Sequence, residues 1–135
     1  MYDIIIIWWW ASWLFFCASS SSESSKLVLE KTQNLGSKLL VSWWWRWNIT
    51  NLNIDLENDY FGLNKKFLYS VFHKFWNQEF LDYLKKNNVE TKVEDNWRVF
   101  LKDESTKKFL DFLISKSKKN NTQILTNQDV IGISK

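Results

Sequence analysis

The stretch VETKVEDNWRVFL, residues 89–101, decides the fold class that the sequence predicts. Apolar and polar residues alternate on both sides of Glu94, Asp95 and Asn96, which is typical of two strands joined by a tight turn. An isolated hairpin is at best marginally stable, so the segments beside it have to cover one of its faces. The stretch therefore predicts a small sheet packed against helices.

A helix is predicted on each side of this hairpin. The first is capped by Asn64, ends at Asn87 and Asn88, and repeats apolar residues at helical spacing: Leu68, Phe72, Phe75, Trp76, Phe80 and Leu84. The second is capped by Ser105 and carries Phe109, Leu110, Phe112 and Leu113. The segments QIL and VIGI, on either side of residues 126–128, can add one or two short strands. The predicted fold class is α+β, with an α-β-β-α-β unit over residues 61–135.

Three further segments are predicted before this unit. Residues 1–18 form an apolar, Trp-rich segment, whose uncharged part begins at Ile4 and ends at Ala18. These fifteen residues are fewer than the roughly 20 of a bilayer span, so the segment is expected to be buried or membrane-associated. Residues 19–25 are a Ser-rich tether, and residues 26–60 are a helical and extended arm interrupted near Gly36.

Residue usage is informative about the gene. The chain has 16 Lys but 2 Arg, 13 Asn and no Pro, which is the bias of AT-rich codons. Ten tryptophans are then unexpected, because the standard tryptophan codon is rich in G and C. Both observations fit if TGA is also read as tryptophan, as in mitochondria and a few wall-less bacteria. The alternative is that the short tracts IIIIWWW and SWWWRW inflated the count.

The residues that usually carry chemistry are scarce. Cys17 is the only cysteine, which excludes an intramolecular disulfide and a cysteine zinc site. His73 is the only histidine, and although Ser70 lies one helical turn before it, no nearby carboxylate would orient the ring. The three glycines stand apart from one another, so no Gly-rich phosphate loop is predicted. We therefore expect no catalytic residue, no metal, no cofactor and no enzyme activity.

Basic charge is concentrated in the C-terminal half. Residues 1–60 carry a net charge of −2 and residues 61–135 a net charge of +5. A lysine-rich surface can contact phosphates, although it is also the ordinary solvated surface of an AT-rich gene product. The candidate RNA- or partner-binding residues in this half are Lys85, Lys86, Arg98, Lys107, Lys108, Lys116, Lys118 and Lys119.

The stretch SWWWRWN, residues 42–48, completes the candidate binding set with Trp43, Trp44, Trp45, Arg46 and Trp47. Aromatic rings and an arginine plane can stack on unpaired bases. Three consecutive tryptophans cannot share one face of a helix or strand, however, so at least one ring needs a different partner. A free monomer would leave that indole exposed, and large exposed apolar patches usually mark an interface, which favours burial between subunits.

Together these patterns predict a non-catalytic structural subunit of a large organellar assembly. The specific prediction is a mitochondrially encoded ribosomal protein that contacts rRNA and neighbouring protein subunits and has no small-molecule substrate. One alternative is a single-span membrane-anchored subunit of a respiratory-chain or ATP synthase complex, with residues 4–18 in the bilayer. The other is a bacterial membrane-tethered binding module. The expected location is the mitochondrion or, for the last alternative, a bacterial membrane.

Overall fold

The computed structural model describes residues 1–8, 10–41 and 48–134. In chain order its elements are β1 (Ile4–Ile7), α1 (Ala11–Ser19), β2 (Lys26–Leu29), α2 (Ser37–Val41), β3 (Thr50–Asn51), α3 (Lys66–Lys74), α4 (Asn77–Lys86), β4 (Thr91–Val93), β5 (Arg98–Leu101), α5 (Thr106–Lys119) and β6 (Thr122–Leu125). The chain divides into two compact units. The first unit combines Met1–Trp44 with Thr106–Lys135, and the second unit is Trp45–Ser105.

The first unit contains a parallel three-stranded sheet with the order β1-β2-β6. Ile4 pairs with Lys26, and Lys26 pairs in turn with Thr122. Parallel neighbours require long crossover connections, and α1 supplies the connection from β1 to β2. Ile6 and Val28, which pair with each other, are both buried. The sheet therefore has the β-α-β organisation of an α/β protein.

Two helices contribute to the apolar core of the first unit. α1 packs against α5, and the buried apolar residues that they contribute are Leu14, Cys17, Ala18, Phe109, Leu110 and Leu113. Beyond the end of α5, the Asn120 side chain donates a hydrogen bond to the carbonyl oxygen of Ala18 at 2.7 Å, which satisfies an end group of α1. Lys26 is fully buried, and its Nζ donates to the carbonyl oxygens of Ser21 and Ser24 at 2.7 Å each.

The second unit contains an antiparallel sheet with the order β3-β5-β4. The predicted hairpin is confirmed: Thr91 pairs with Leu101 and Val93 with Val99, and a 3₁₀ turn joins the strands. Leu84 of α4 and the three consecutive residues Val99, Phe100 and Leu101 of β5 are buried. The single helix predicted before the hairpin is divided into α3 and α4, because Phe75 adopts an extended conformation with φ −154°.

The mixed α/β class is confirmed, but the predicted α-β-β-α-β unit is not a single unit. α5 and β6 belong with β1 and β2 in the first unit, whereas the hairpin belongs to the second. Residues 130–133, VIGI, form no strand. The predicted boundaries after residues 18, 25 and 60 do not coincide with the division between the units.

The segments before residue 60 also differ from the prediction. Residues 4–18 contain a strand and a nine-residue helix instead of one apolar segment. Lys26–Leu29 is a strand, not part of a helical arm, because the buried strands of a parallel sheet are short apolar runs without polar alternation. Within residues 1–8, 10–41 and 48–134, no helix has the length and apolar character needed to cross a bilayer.

Candidate functional site at the ends of β1 and β2

The turn between β1 and α1 begins the candidate site. Trp8 directly follows β1, and its backbone N–H donates to the carbonyl oxygen of Leu29 at 3.0 Å. Trp8 has a positive φ of 71°, which bends the chain towards the helix. Trp10 is the N-cap of α1, and its carbonyl oxygen accepts from the N–H of Leu14 at 3.0 Å. The backbone N–H groups of the first turn of α1 therefore lie beside the carboxyl end of β1.

The spacing of tryptophans in this turn equals that of a known glycine pattern. Trp8, Trp10 and Trp13 occupy the first, third and sixth positions of a strand-turn-helix segment. In dinucleotide-binding β-α-β units, G-x-G-x-x-G occupies these positions. The first glycine permits the tight turn, the second lets the backbone approach the pyrophosphate, and the third permits close packing of helix and strand.

Glu30 supplies an acidic side chain at the end of the neighbouring strand, directly after β2. Its backbone N–H donates to Leu125 at 2.9 Å, and its carbonyl oxygen accepts from Gln128 at 2.9 Å, so β6 fixes its position. Its carboxylate accepts hydrogen bonds from the backbone N–H of Thr32 at 2.8 Å and from the Thr32 hydroxyl at 2.7 Å. An acidic residue at the end of the second strand hydrogen-bonds the ribose 2′-hydroxyl in Rossmann domains.

The turn and Glu30 open on one cavity of about 380 Å³. Its lining residues are Trp8, Trp10, Glu30, Lys31, Thr32, Asn34, Gly36 and Ser37. This volume lies within the range of small-molecule sites, and ligands of parallel α/β sheets bind outside the carboxyl ends of the strands. Numbered by their sequence order in the first unit, the three strands lie in the order 3-2-1, as in one half of a doubly wound sheet.

Those predicted binding residues that the structure describes do not line this cavity. Lys107, Lys108, Lys116, Lys118 and Lys119 lie on α5 in the first unit. In the second unit, Lys85 and Lys86 end α4, and Arg98 begins β5 with its Nε donating to the carbonyl oxygen of Asp95 at 3.1 Å. Trp43, Trp44, Trp45, Arg46 and Trp47 lie outside the described residues. Their role as an RNA or partner surface stays a prediction.

Neither the single histidine nor the single cysteine of the chain lines this cavity. His73 is exposed on the last turn of α3. Cys17 is a buried residue of α1, and burial raises the pKa of its thiol, although the nearby Thr122 side chain and the charge of Lys26 act in the opposite direction. The described part of the chain holds no group of three or more His, Cys, Asp or Glu that could bind a metal ion.

The sequence reading missed Glu30 and the turn before α1. The signal for this site is a strand followed by a turn, a helix, a second strand and an acidic residue. The pattern Trp-x-Trp-x-x-Trp extends from the end of β1 into the first turn of α1. The fingerprint is normally recognised by its glycines, and the chain has none in this turn.

Comparison with known proteins agrees with this arrangement. The family model described as HI0933-like protein Rossmann domain matches residues 2–135. The chain is also similar to the ribosomal RNA dihydrouridine synthase of Escherichia coli (strain K12), with 25% identity over 109 residues. The matched region is 81% of this chain and 27% of that protein, so the chain spans about a quarter of the relative's length.

These findings overturn the predicted function. A Rossmann domain family and an RNA-modifying enzyme do not describe a non-catalytic ribosomal subunit, a respiratory-chain anchor or a membrane-tethered binding module. The prediction failed because it rested on composition, and composition does not reveal which strand ends meet. The mitochondrial or bacterial-membrane location and the predicted protein partners stay predictions. Because the family model extends over residues 2–135, the chain belongs to the HI0933-like family and carries its Rossmann domain.

Proposed function

We propose that the first unit has the backbone of a binding site for an adenine dinucleotide whose adenosine ribose carries a free 2′-hydroxyl. The observation that carries this proposal is that the β1–α1 turn and Glu30 line one cavity at the carboxyl ends of two parallel strands. The N-terminus of α1 suits a pyrophosphate, because its backbone N–H groups and the helix dipole favour negative charge. The Glu30 carboxylate suits the ribose, because it can accept a hydrogen bond from the 2′-hydroxyl.

The strand-turn-helix order suits such a ligand, but the side chains of Trp8 and Trp10 in the turn and of Trp13 in α1 do not. Trp8 and Trp10 line the cavity, and the two residues are 58% and 51% exposed. A bulky ring at the third position keeps the pyrophosphate from the backbone N–H groups that would bind it. Trp13 occupies the position at which a glycine permits close packing of helix and strand. We therefore place no dinucleotide on the turn while it carries these three rings.

We further infer that the whole protein is an oxidoreductase. The relative's name describes the formation of dihydrouridine in ribosomal RNA. Dihydrouridine has two more hydrogens than uridine, so its formation is a reduction. Nicotinamide and flavin dinucleotides carry hydride for such reactions, and Rossmann domains bind both. We propose that this chain supplies the dinucleotide site for a reduction of this class.

Binding measurements on the full chain test the dinucleotide site. The parent variant combines Trp8→Gly, Trp10→Gly and Trp13→Gly, which removes the three rings from the turn. We expect it to bind FAD or NAD, measured by flavin fluorescence for the first and by calorimetry for the second. Adding Glu30→Gln should weaken binding by about 10-fold or more, because a hydrogen bond to a charged group contributes about 1.5–3 kcal/mol.

Matched controls make this test specific. Glu23→Gln removes an exposed carboxylate on the loop before β2 and should leave the affinity unchanged. NADP should bind more weakly than NAD to the parent variant, because Glu30 repels a 2′-phosphate, and Glu30→Gln should narrow that difference. Binding of neither FAD nor NAD to the parent variant would contradict the proposal. An equal loss in both glutamate variants would remove Glu30 from the site.

A further inference from the structure

We infer that the positions occupied by tryptophan in this sequence are glycine in the protein as its source makes it. The ten positions are 8, 9, 10, 13, 43, 44, 45, 47, 76 and 97. The structure describes five of them, namely Trp8, Trp10, Trp13, Trp76 and Trp97. Backbone conformation, burial and composition each point to glycine at these positions, and none of the three observations depends on a ligand.

Two of the five tryptophans adopt backbone conformations that favour glycine. Trp8 has φ 71° and Trp97 has φ 61°. In this left-handed region the Cβ atom of an L-residue crowds the backbone, and a bulky residue there is an outlier. Glycine has no Cβ and enters the region without that penalty. The two positions lie in different units, so a single local distortion does not explain both.

Two other tryptophans are helix N-caps. Trp10 precedes α1 with φ −106° and ψ 159°, and Trp76 precedes α4 with φ −91° and ψ 173°. N-caps are usually Ser, Thr, Asn, Asp or Gly. An indole carries an N–H donor and no acceptor, so it cannot receive a hydrogen bond from the first turn of a helix. Of the five residues usually found at N-caps, only glycine has no side-chain oxygen.

Burial gives the second observation. Tryptophan is on average among the most extensively buried residues, because its large ring gains much from leaving water. None of the five described tryptophans is buried here, and Trp13 and Trp97 are 45% and 58% exposed. The described cores are built from Ile, Leu, Val, Phe, Ala and Cys. The fold thus uses these positions for their backbone and not for their rings.

Composition gives the third observation. The chain has ten tryptophans and three glycines in 135 residues, whereas glycine averages about 7% of protein sequences. The codon TGA differs from the glycine codon GGA at one base. If the source reads TGA as glycine, the excess of tryptophan and the shortage of glycine have one cause. Reading TGA as tryptophan accounts for the excess alone.

The substitution changes what the turn after β1 can do. With glycine at positions 8, 9, 10 and 13, the turn reads G-G-G-A-S-G, which contains the complete G-x-G-x-x-G pattern between β1 and α1. The mismatch between the three rings and a pyrophosphate then disappears. This consequence rests on the proposed function, whereas the identity of the residues does not.

Mass spectrometry of the protein isolated from its source tests the inference directly. Peptides covering residues 4–13 and residues 92–98 should carry glycine at every tryptophan position, and each substitution removes one C₉H₇N unit. The gene should carry TGA at the ten positions. Tryptophan at positions 8 and 97 in the native peptides would overturn the inference, whatever the chain binds.

Stability measurements test the backbone argument separately. In the full chain, the double variants Trp8→Gly/Trp97→Gly and Trp8→Ala/Trp97→Ala both remove the rings, but only the first relieves a positive φ. The glycine variant should therefore melt at a higher temperature than the alanine variant. An alanine variant with an equal or higher Tm would overturn the conformational argument.

Ligand binding separates this inference from the proposed function. A full chain with glycine at all ten positions should bind FAD or NAD at least 10-fold more tightly than the chain with tryptophan. If the native peptides carry glycine but the ten-glycine chain binds neither dinucleotide, the residue assignment stands and the proposed function is wrong. If the native peptides carry tryptophan and the chain with tryptophan itself binds a dinucleotide, the assignment is wrong and the proposed function stands.

Discussion

At the residue scale, Gly36 lies where a larger residue would be strained in its backbone and crowded by the side chain of Leu110. Its φ is 68°, and a Cβ atom added there would lie 2.8 Å from both Cδ1 and Cδ2 of Leu110. Gly36→Ala should therefore lower the free energy of unfolding by about 1–3 kcal/mol, through backbone strain and crowding against α5. Urea denaturation measures the change.

Gly132→Ala is the matched control for this substitution. A Cβ atom at Gly132 would meet no atom within 4 Å, and the residue is exposed. Its effect should stay within about 0.5 kcal/mol, as for most surface changes. Equal effects at the two glycines would contradict both the backbone strain at Gly36 and its crowding against Leu110.

Cys17 should make stability depend on alkaline pH. Burial raises the pKa of its thiol above the ordinary value of 9.0, so the unfolded thiol ionises at a lower pH than the folded one. The resulting stabilisation is complete below pH 9.0 and is lost as the pH rises through the folded pKa. Relative to Cys17→Ala, the wild-type chain should lose up to about 1.4 kcal/mol per pH unit in that window.

Chemical denaturation of both chains from neutral to alkaline pH measures this difference. The other groups that titrate in that range are common to the two proteins, so their effects cancel in the comparison. Parallel stability curves for the two chains would contradict the prediction.

At the scale of elements, one carboxylate joins the starts of β1 and β2. Oδ2 of Asp3 accepts hydrogen bonds from the Ser25 hydroxyl and from the Ser25 backbone N–H, both at 2.7 Å. The hydrogen bonds from Ser25 lower the pKa of Asp3 below its ordinary value of 3.8. This contribution to stability is present above pH 3.8 and is lost as the pH falls through the folded pKa.

Asp3→Asn should therefore flatten the acid end of the stability profile. Thermal melts at decreasing pH compare the variant with the wild-type chain. Asp111→Asn, which changes an exposed carboxylate on α5, is the matched control and should keep the wild-type profile. If Asp3→Asn and the wild-type chain lose stability in parallel below pH 3.8, the two hydrogen bonds from Ser25 do not stabilise the pairing of β1 with β2.

Local patterns predicted some elements and missed others. The hairpin of β4 and β5 and the helix α5 follow from alternation and helical spacing, which need only neighbours in the chain. The strands β1 and β2 were not predicted because apolar runs of four and three residues have no period that separates a strand from a buried helix. The division into α3 and α4 was not predicted because two extended residues, Phe75 and Trp76, interrupt the backbone while the apolar stripe continues across them.

At the scale of the whole molecule, a bound dinucleotide should protect only the first unit. In the chain with glycine at positions 8, 10 and 13, saturating ligand should slow amide hydrogen exchange in the turn after β1 and in the segment after β2. The cavity lining comes from the first unit alone, so β4 and β5 should exchange at their unliganded rates. Equal slowing in β4 and β5 would contradict binding confined to the first unit.

The sequence by itself determined the mixed α/β class, the hairpin, the helix α5 and the presence of a single cysteine and a single histidine, because each depends on composition or on neighbouring residues. Only the tertiary structure decided that β1, β2 and β6 form one parallel sheet and that Glu30 shares a cavity with the turn before α1. Parallel strands are joined through long crossovers, here interrupted by the whole second unit, so their pairing is invisible to any local pattern. The tertiary structure also supported the inference about the tryptophan positions. A positive φ, which the residue type does not reveal, marks a position that favours glycine.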